Sequence, residues 1–243
     1  MINTYNESDL HLTLKKMYAL EFNGKTEVKI EGTDWICDII DENGNAIEIQ
    51  TSNLSALSEK AEFILKSGKK LKIVHPIIAE KYIETLDSKG NILHRKKSPK
   101  KATIYDSLRG MTKICPLFLN ENCTLEILFV RATEFRRQTE CEMQTLNKSR
   151  RHLKNWIPAG KKLEEILEKK RFTEKADFTN LLCGAEKSES ALFRACDISH
   201  AIKAKSGAKN ARWANLLAWI LLKMNLIEVA ETKGRSRYYR ICG

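Results

Sequence analysis

Two strand-like runs separated by one helix-like run constrain the fold of this chain most. Residues 46–51, read as AIEIQT, alternate between apolar and polar side chains, and residues 70–74, read as KLKIV, form a second strand pattern. Parallel strands need a crossover connection of about a dozen residues or more, so this spacing predicts a parallel pair. The apolar face of the intervening helix is expected to be formed by Leu54, Leu57, Ala61, Ile64 and Leu65.

A tight turn precedes the first of these strands. Residues 41–45, read as DENGN, follow a β-branched run over 35–40, and a glycine at the fourth position suits a type I turn with a bulge. That turn pairs Asp41 with Asn45 and therefore sets Asp38 opposite Glu48. A two-residue Asn43-Gly44 turn would instead set Asp38 opposite Ile49. The hairpin and the crossover together predict a mixed sheet.

Opposed carboxylates in the bulged register carry a chemical consequence. Like charges directly across a ladder are destabilising unless something lies between them, and a divalent cation is the obvious candidate. Gln50 lies two residues after Glu48, so it points to the same face of the strand. The simpler interpretation is that Asp38 and Glu48 are solvent-facing polar residues near a hairpin.

Charge divides the chain into two parts. The net charge is +11, yet residues 1–142 contain 21 Lys/Arg and 21 Asp/Glu, whereas residues 143–243 contain 21 Lys/Arg and 10 Asp/Glu. A basic module that meets a polyanion would show this asymmetry, as would a merely solvated surface. We therefore expect an N-terminal domain over 1–142, a basic linker over 143–160 and a second domain over 161–243.

Several classes of protein are excluded by other features. No run of 18 apolar residues is present, so a membrane span is not expected, and the start of the sequence has no secretory signal pattern. The seven cysteines form no CxxC pair, which favours reduced thiols and a cytoplasmic location. No glycine-rich phosphate loop is found.

The C-terminal part has the pattern of a winged helix-turn-helix. Residues 161–170 are predicted to be helical, and two further helices are predicted over 198–205 and 209–224, with a hairpin over 227–241. The start of the last helix would read the major groove and the hairpin would contact phosphates. These DNA contacts are assigned to Lys209, Asn210, Arg212, Lys233, Arg235 and Arg237.

The N-terminal order of helix, three strands, helix and strand resembles the PD-(D/E)xK nuclease core. Asp38 followed by Glu48-Ile49-Gln50 is similar to the E-x-Q variant of that superfamily, and Glu7 matches a further acid near the first helix. The chain also resembles a bacterial family with ES-x-LH near its start, IEIQ with a nearby Asn, a K-S-P-K loop and a C-terminal winged helix. The fold implied is an α/β (α+β) restriction-endonuclease-like core with a mixed sheet, followed by a mainly α winged helix-turn-helix domain.

The resemblance also implies a chemistry and a set of partners. Asp38, Glu48 and the Ile49 carbonyl would bind Mg²⁺ or Mn²⁺, with Glu7 and Gln50 as further catalytic residues. Gln50 has no charge where lysine is usual, and Lys60 is either a substitute cation or a solvated lysine on a helix surface. Double-stranded DNA is the expected partner, no membrane is expected, and a homodimer is a candidate. A basic loop would contact phosphate through Arg95, Lys96, Lys97, Lys100 and Lys101.

Three functions are consistent with these features. The first is a metal-dependent DNA endonuclease that captures DNA through its C-terminal domain. The second is a catalytically inactive DNA-binding or regulatory protein with a nuclease-like fold, which the uncharged Gln50 favours. The third is a protein-interaction module with a basic tail, which would bind no DNA at moderate salt. His11 and His75 are expected to satisfy local hydrogen bonds.

Overall fold

A computed structural model describes residues 9–144, 153–187 and 192–242 of the chain. Strands hold more of these residues than helices do. Short 3-10 turns supplement the α-helices and connect several of them. The α-helices of the described residues are α1 (Asp9–Glu21), α2 (Ser58–Lys66), α3 (Leu108–Met111), α4 (Lys175–Thr179), α5 (Ala195–Ser206) and α6 (Ala214–Lys223).

A seven-stranded mixed sheet organises the molecule, and a separate two-stranded sheet lies near the C-terminus. The order along the large sheet is β1-β2-β3-β4-β6-β7, with β5 paired to the far half of β4. Its strands are β1 (Lys25–Lys29), β2 (Ile36–Ile40), β3 (Ala46–Ile49), β4 (Leu71–Leu86), β5 (Ile92–Lys97), β6 (Cys123–Gln144) and β7 (Leu153–Phe172), and the small sheet contains β8 (Ile227–Lys233) and β9 (Ser236–Ile241).

The hairpin between β2 and β3 adopts the bulged turn. Ile39 pairs with Ile47 and Ile40 with Ala46, which is the register that the three-residue loop predicts. Gly44 has a φ of 76°, a left-handed value that glycine adopts without a steric penalty. The Asp41 carboxylate secures the loop because it accepts hydrogen bonds from the backbone N–H groups of Asn43 and Asn45. The predicted bulged register is confirmed, and the two-residue alternative is wrong.

The crossover from β3 through α2 to β4 is also confirmed. β3 and β4 are parallel, with Ala46 beside Leu71 and Ile49 beside Val74. The Asn53 side chain caps the short 3-10 turn before α2 by accepting from the Ser55 N–H at 3.2 Å. Helix α2 packs its apolar face on one side of the sheet, and α1 packs on the other side against Ile39 and Ile47.

One edge of β4 is shared between two partners. The first residues of β4 pair with β3, and residues 82–86 pair with β5. Residues 75–80 have no strand partner on that edge within the part of the chain that the structure describes. The sheet therefore has a gap at this edge, directly beyond the carboxyl end of β3.

The predicted helix over 161–170 is wrong, because these residues lie in β7. Strands β6 and β7 form a long antiparallel hairpin that also takes up residues 153–160, which were expected in a linker. The helical spacing of Leu163 and Ile166 arises from a bulge: Leu163 pairs with Ala132 and Ile166 with Val130, so one extra residue separates them. Both side chains consequently pack on the α1 side of the sheet.

The prediction of a mainly α winged helix domain at the C-terminus is also wrong. The chain ends in the β8–β9 hairpin, within a molecule that is mostly β. Leu217 and Leu221 of α6 belong to the same buried cluster as Leu108 and Phe118 of the N-terminal part. Helix α6 therefore packs into the main core. Among the described residues, no helix combines the length and apolarity needed to cross a bilayer.

Candidate functional site

The strands β2 and β3 separate at Asp38. The ladder from the turn ends at the pair of Ile39 and Ile47, and the next β3 amide on that side, the N–H of Ile49, donates to Asp38 Oδ2 at 2.8 Å. A side chain thus replaces a backbone acceptor, and the strand edge opens. Glu48 Oε1 lies 3.4 Å from the backbone N of Asp38 and accepts its hydrogen bond. Each of the two predicted acids thus bonds to a backbone N–H of the other strand at the point where the strands separate.

Lys60 on α2 lies against the carboxylate of Glu48. Its Nζ is 2.5 Å from Glu48 Oε1 and donates to the Ile36 carbonyl at the same distance. Only 11% of the Lys60 side chain is exposed, and Glu48 is 4% exposed. Lys60 is therefore a buried partner of the site and not a solvated lysine. The sequence signal for it was its position one turn into the helix that follows the E-x-Q string.

A histidine from the opposite layer approaches the other carboxylate. His11 on α1 has its Nε2 3.4 Å from Asp38 Oδ2. Asp38 is thus contacted from the α1 side of the sheet and Glu48 from the α2 side, which differs from the predicted placement of both acids on one face. His11 was expected to make a local hydrogen bond, and its place within the ES-x-LH string was the signal that linked it to the site.

Burial and charge move the pKa values of the two acids in opposite directions. Burial raises the pKa of Glu48, and the nearby charge of Asp38 adds to this rise, while Lys60 opposes it. Burial also acts to raise the pKa of Asp38, but hydrogen bonding and charge from His11 and the Ile49 N–H hold it below its usual value. Burial raises the pKa of Cys37 to about 12, so this residue is a neutral thiol beside Glu48.

Gln50 is part of a turn. Its Nε2 donates to the Asn53 carbonyl at 3.0 Å, and its own carbonyl lies 2.5 Å from Nδ1 of His75. These contacts fix the path of the chain from β3 into the turn before α2. His75 is buried, and this burial lowers its pKa. The predicted local hydrogen bond of His75 is present. Glu7, the further predicted acid, lies outside the described residues.

The site offers two carboxylates to a small hard cation. Within the described residues, no cluster of three or more His, Cys, Asp and Glu side chains is close enough to hold a metal ion. Mg²⁺, however, commonly binds through one or two carboxylates, completed by water and substrate phosphate. Asp38 and Glu48 supply two carboxylates. Carboxylate oxygens suit Mg²⁺ or Mn²⁺ better than they suit soft metals.

The predicted basic loop is partly a strand. Arg95, Lys96 and Lys97 are exposed on β5, where Arg95 pairs with Glu84 at 3.5 Å and Lys97 with Glu80 at 3.3 Å. Lys100 and Lys101 follow in an exposed loop. All five cations lie at or beyond the gap in the β4 edge. The partial neutralisation of Arg95 and Lys97 was not evident from the sequence.

The predicted reading residues of the C-terminal part are in different environments. Lys209 is exposed, but Asn210 is 7% exposed and its amide donates to the Ser206 carbonyl and accepts from Thr103. Arg212 pairs with Asp106 at 3.2 Å. Asn210 is thus held inside the fold and is not presented to a groove. On the hairpin, Lys233, Arg235 and Arg237 are exposed.

A cleft of about 610 Å³ with both polar and apolar lining residues lies at the gap in the β4 edge. Thr51 and Ser52, directly after Gln50, form part of its wall. Residues 76–78 of β4 form a second wall, and Lys100 to Gly110 contribute a third. No single sequence motif indicated the cleft, since its residues come from separate parts of the chain.

Comparisons with known proteins identify a family without assigning a function. The chain is 30% identical over 129 residues to an uncharacterized protein of Treponema pallidum (strain Nichols), a match that covers 53% of this chain. The chain spans half the length of that relative. No solved structure matches the chain. A family model described as a domain of unknown function, DUF8091, matches residues 8–173, from the start of α1 to the end of β7. The chain belongs to the DUF8091 family.

Proposed function

We propose that this protein hydrolyses phosphodiester bonds of DNA with the help of Mg²⁺ or Mn²⁺. The observation that carries the proposal is the buried carboxylate of Glu48, which accepts from the Asp38 N–H and has the ammonium group of Lys60 at 2.5 Å. Two acids and one lysine at the open end of a strand pair form the donor set expected of such a hydrolase. Residues that perturb each other in this way are candidates for a functional site.

Asp38, Glu48 and the Ile49 carbonyl would hold the cation. A divalent ion bound there would lower the pKa of a bound water and offset the negative charge of the phosphate in the transition state. The two carboxylates would fix the position of the cation. The hydrogen bond from the Ile49 N–H holds the Asp38 carboxylate in place. The proposal thus assigns ligand roles to three residues within one hairpin.

Lys60 would supply the positive charge that Gln50 lacks. Its ammonium group lies within hydrogen-bonding distance of Glu48, so it is near any phosphate that the two acids help to bind. Gln50 would act as a positioning residue, because its amide holds the turn that leads to α2. The PD-(D/E)xK resemblance supports this assignment. In that pattern a lysine is usual at the position of Gln50, and here Lys60 of the following helix would supply the same charge.

Exposed cations would bind the DNA backbone. Lys96, Lys100 and Lys101 near the gap, and Arg235 and Arg237 on the C-terminal hairpin, would each contact phosphates. A cytoplasmic location is part of the proposal, because all seven cysteines are free thiols, as expected in a reducing compartment. A homodimer would give two cuts on a duplex and is a further expectation of the resemblance.

A catalytically inactive DNA-binding protein is the second candidate. The close contact of Lys60 with Glu48 favours it, because the lysine already neutralises one of the two acids. In that case the pair would serve only to stabilise the fold, and Mg²⁺ would have no site. The two candidates differ in their need for metal: the nuclease would cleave DNA only with Mg²⁺ or Mn²⁺, whereas the inactive protein would bind DNA without either ion.

Cleavage of supercoiled plasmid in Mg²⁺, Mn²⁺ or EDTA tests the proposal. We expect metal-dependent nicking by the wild type and a loss of about 100-fold in Glu48→Gln, since a single ligand or transition-state contact is worth this much. Glu62→Gln is the matched control, because Glu62 is an exposed acid on α2. Binding of DNA by all three proteins without cleavage in either metal would contradict the nuclease and support the second candidate.

A further inference from the structure

A cleft lies at the gap in the β4 edge, and its lining begins at Thr51, three residues after Glu48 in the chain. β3 ends at Ile49, and the next residues pass along the mouth of the cleft. The Gln50 carbonyl contacts His75, and His75 is among the residues that line the cleft. A nucleic-acid strand whose phosphate binds at Asp38 and Glu48 would extend past Thr51 and Ser52 toward this cleft.

The size of the cleft suits one strand and not two. About 610 Å³ lies within the range of pockets that enclose small ligands, roughly 300–1,000 Å³. A duplex cannot enter such a space, because its major groove alone is about 12 Å wide. A single nucleotide can enter, provided that its base is unpaired or turned out of the stack.

The walls of the cleft match the two parts of a nucleotide. Pro76, Ile77, Ile78 and Ala102 offer apolar surface against which a base can pack. Thr51 and Ser52, which carry hydroxyl groups, also line the cleft. Both kinds of group are needed to bind a base by its face and by its polar edge.

Positive charge exceeds negative charge around the cleft. Lys81 is balanced by Glu134 at 2.8 Å, and Asp106 is balanced by Arg212 at 3.2 Å. Lys100, Arg109 and Lys161 also line the cleft and add positive charge. A cationic groove that follows the backbone is the usual means of binding single strands.

We infer that this cleft binds an unpaired nucleotide of single-stranded DNA and that the protein prefers single strands or unpaired regions to intact duplex. The inference rests on the proposed function for the identity of the ligand as DNA. It specifies single-stranded DNA as the ligand and assigns phosphate contacts to Lys100 and Lys161, which both line the cleft. It does not depend on whether the bound strand is cut.

Fluorescence anisotropy in EDTA tests the inference without cleavage. The probes are a labelled 12-nucleotide DNA strand of mixed sequence and the duplex of the same sequence, at several salt concentrations. We expect the single strand to bind at least tenfold more tightly than the duplex. Lys100→Ala with Lys161→Ala should weaken binding of the strand at least tenfold and reduce the salt slope by about 1.4, at about 0.7 per phosphate contact.

Two further variants separate the effects of shape and charge. Ala102→Trp would fill the cleft without a change of charge, and it should weaken binding of the strand but not of the duplex. Lys66→Ala with Lys113→Ala removes two exposed lysines that do not line the cleft and should leave the preference unchanged. Circular dichroism and thermal unfolding would establish that each variant is folded.

The outcomes distinguish this inference from the nuclease proposal. Equal or tighter binding of the duplex by the wild type, or unchanged strand binding by a folded Lys100/Lys161 variant, would overturn the inference even if plasmid is cleaved. Preferential strand binding that Ala102→Trp abolishes would support it, even if no metal produces cleavage.

Discussion

The ammonium nitrogen of Lys60 lies 2.5 Å from Oε1 of Glu48, and both side chains are almost fully withdrawn from solvent. The pair joins α2 to the end of β3, next to the point where β2 and β3 separate. A buried carboxylate without its cation is costly, whereas a buried pair replaced as a whole by apolar side chains is often tolerated. This difference yields a test of what the pair contributes to stability.

Lys60→Met is expected to lower the free energy of unfolding by about 3–5 kcal/mol, because it leaves Glu48 buried without its partner. Urea denaturation measures this change. Lys66→Met, in an exposed pair with Glu62, should cost about 0.5 kcal/mol or less. The double variant Lys60→Met with Glu48→Leu should recover most of the loss. A double variant no more stable than Lys60→Met would show that the charge of Glu48 is not what destabilises the single variant.

Metal binding should be visible as thermal stabilisation. At Mg²⁺ about tenfold above the dissociation constant, the free energy of unfolding should rise by about 1.4 kcal/mol, which corresponds to a few degrees in a chain of this size. Asp38→Asn removes one ligand charge and should abolish the shift. Asp34→Asn changes an exposed acid in the same way and should retain it. An equal Mg²⁺ shift in the wild type and in Asp38→Asn would exclude Asp38 as a ligand.

Stability should fall as the pH is lowered through the range in which histidine titrates. Burial lowers the pKa of His75 in the folded protein. Below the ordinary histidine pKa of about 6.5, His75 binds a proton in the unfolded chain but stays neutral in the folded chain. The free energy of unfolding therefore decreases as the pH falls. The slope from this group is at most about 1.4 kcal/mol per pH unit.

Urea denaturation between pH 7.5 and 5.5 would measure this dependence. His75→Gln, which retains a hydrogen-bond donor toward the Gln50 carbonyl, should show a shallower slope than the wild type. His94→Gln, on the exposed strand β5, should show the slope of the wild type. If His75→Gln and the wild type have the same slope, another group is responsible for the pH dependence.

A second buried carboxylate predicts a further stability effect. Glu126 on β6 is 1% exposed and accepts a hydrogen bond from the Tyr18 hydroxyl and from Arg171 Nε, the latter at 2.9 Å. Tyr18→Phe should lower the free energy of unfolding by about 1.5–3 kcal/mol, the usual range for a hydrogen bond to a charged group.

Thermal and urea unfolding of Tyr18→Phe would measure that loss. Tyr82→Phe is the matched control, because its ring is only partly buried and lies beside Arg95 and Lys97. We expect the control to change stability by about 0.5 kcal/mol or less. Equal losses of unfolding free energy in the two variants would mean that the hydrogen bond from Tyr18 to Glu126 does not stabilise the fold.

Local sequence patterns predicted the part of the fold that contains the acids. The glycine in DENGN fixed the turn and hence the register of β2 on β3, and the spacing of strand, helix and strand fixed the parallel pair. Both are short-range relationships that a few residues determine. The contact of Lys60 with Glu48 was predictable only in part. The sequence located Lys60 on α2 but did not indicate that its side chain is buried.

The errors arose where long-range pairing overrides local pattern. Leu163 and Ile166 have helical spacing, yet a bulge opposite β6 places them on one face of a strand. Asn210 has the type and position of a reading residue, yet its amide bonds to Ser206 and Thr103 inside the core. The cleft could not be predicted either, because it depends on where β4 passes from one partner strand to another.

The shared core has a consequence for how members of this family can differ from one another. The family match ends at residue 173, but Leu217 and Leu221 of the segment beyond it fill the same interior as Leu108 and Phe118. A chain cut after β7 would leave apolar surface exposed and would be expected to aggregate. This boundary is therefore a poor place to divide the gene for expression. A relative with an unrelated C-terminal segment would have to cover the same surface with other apolar side chains.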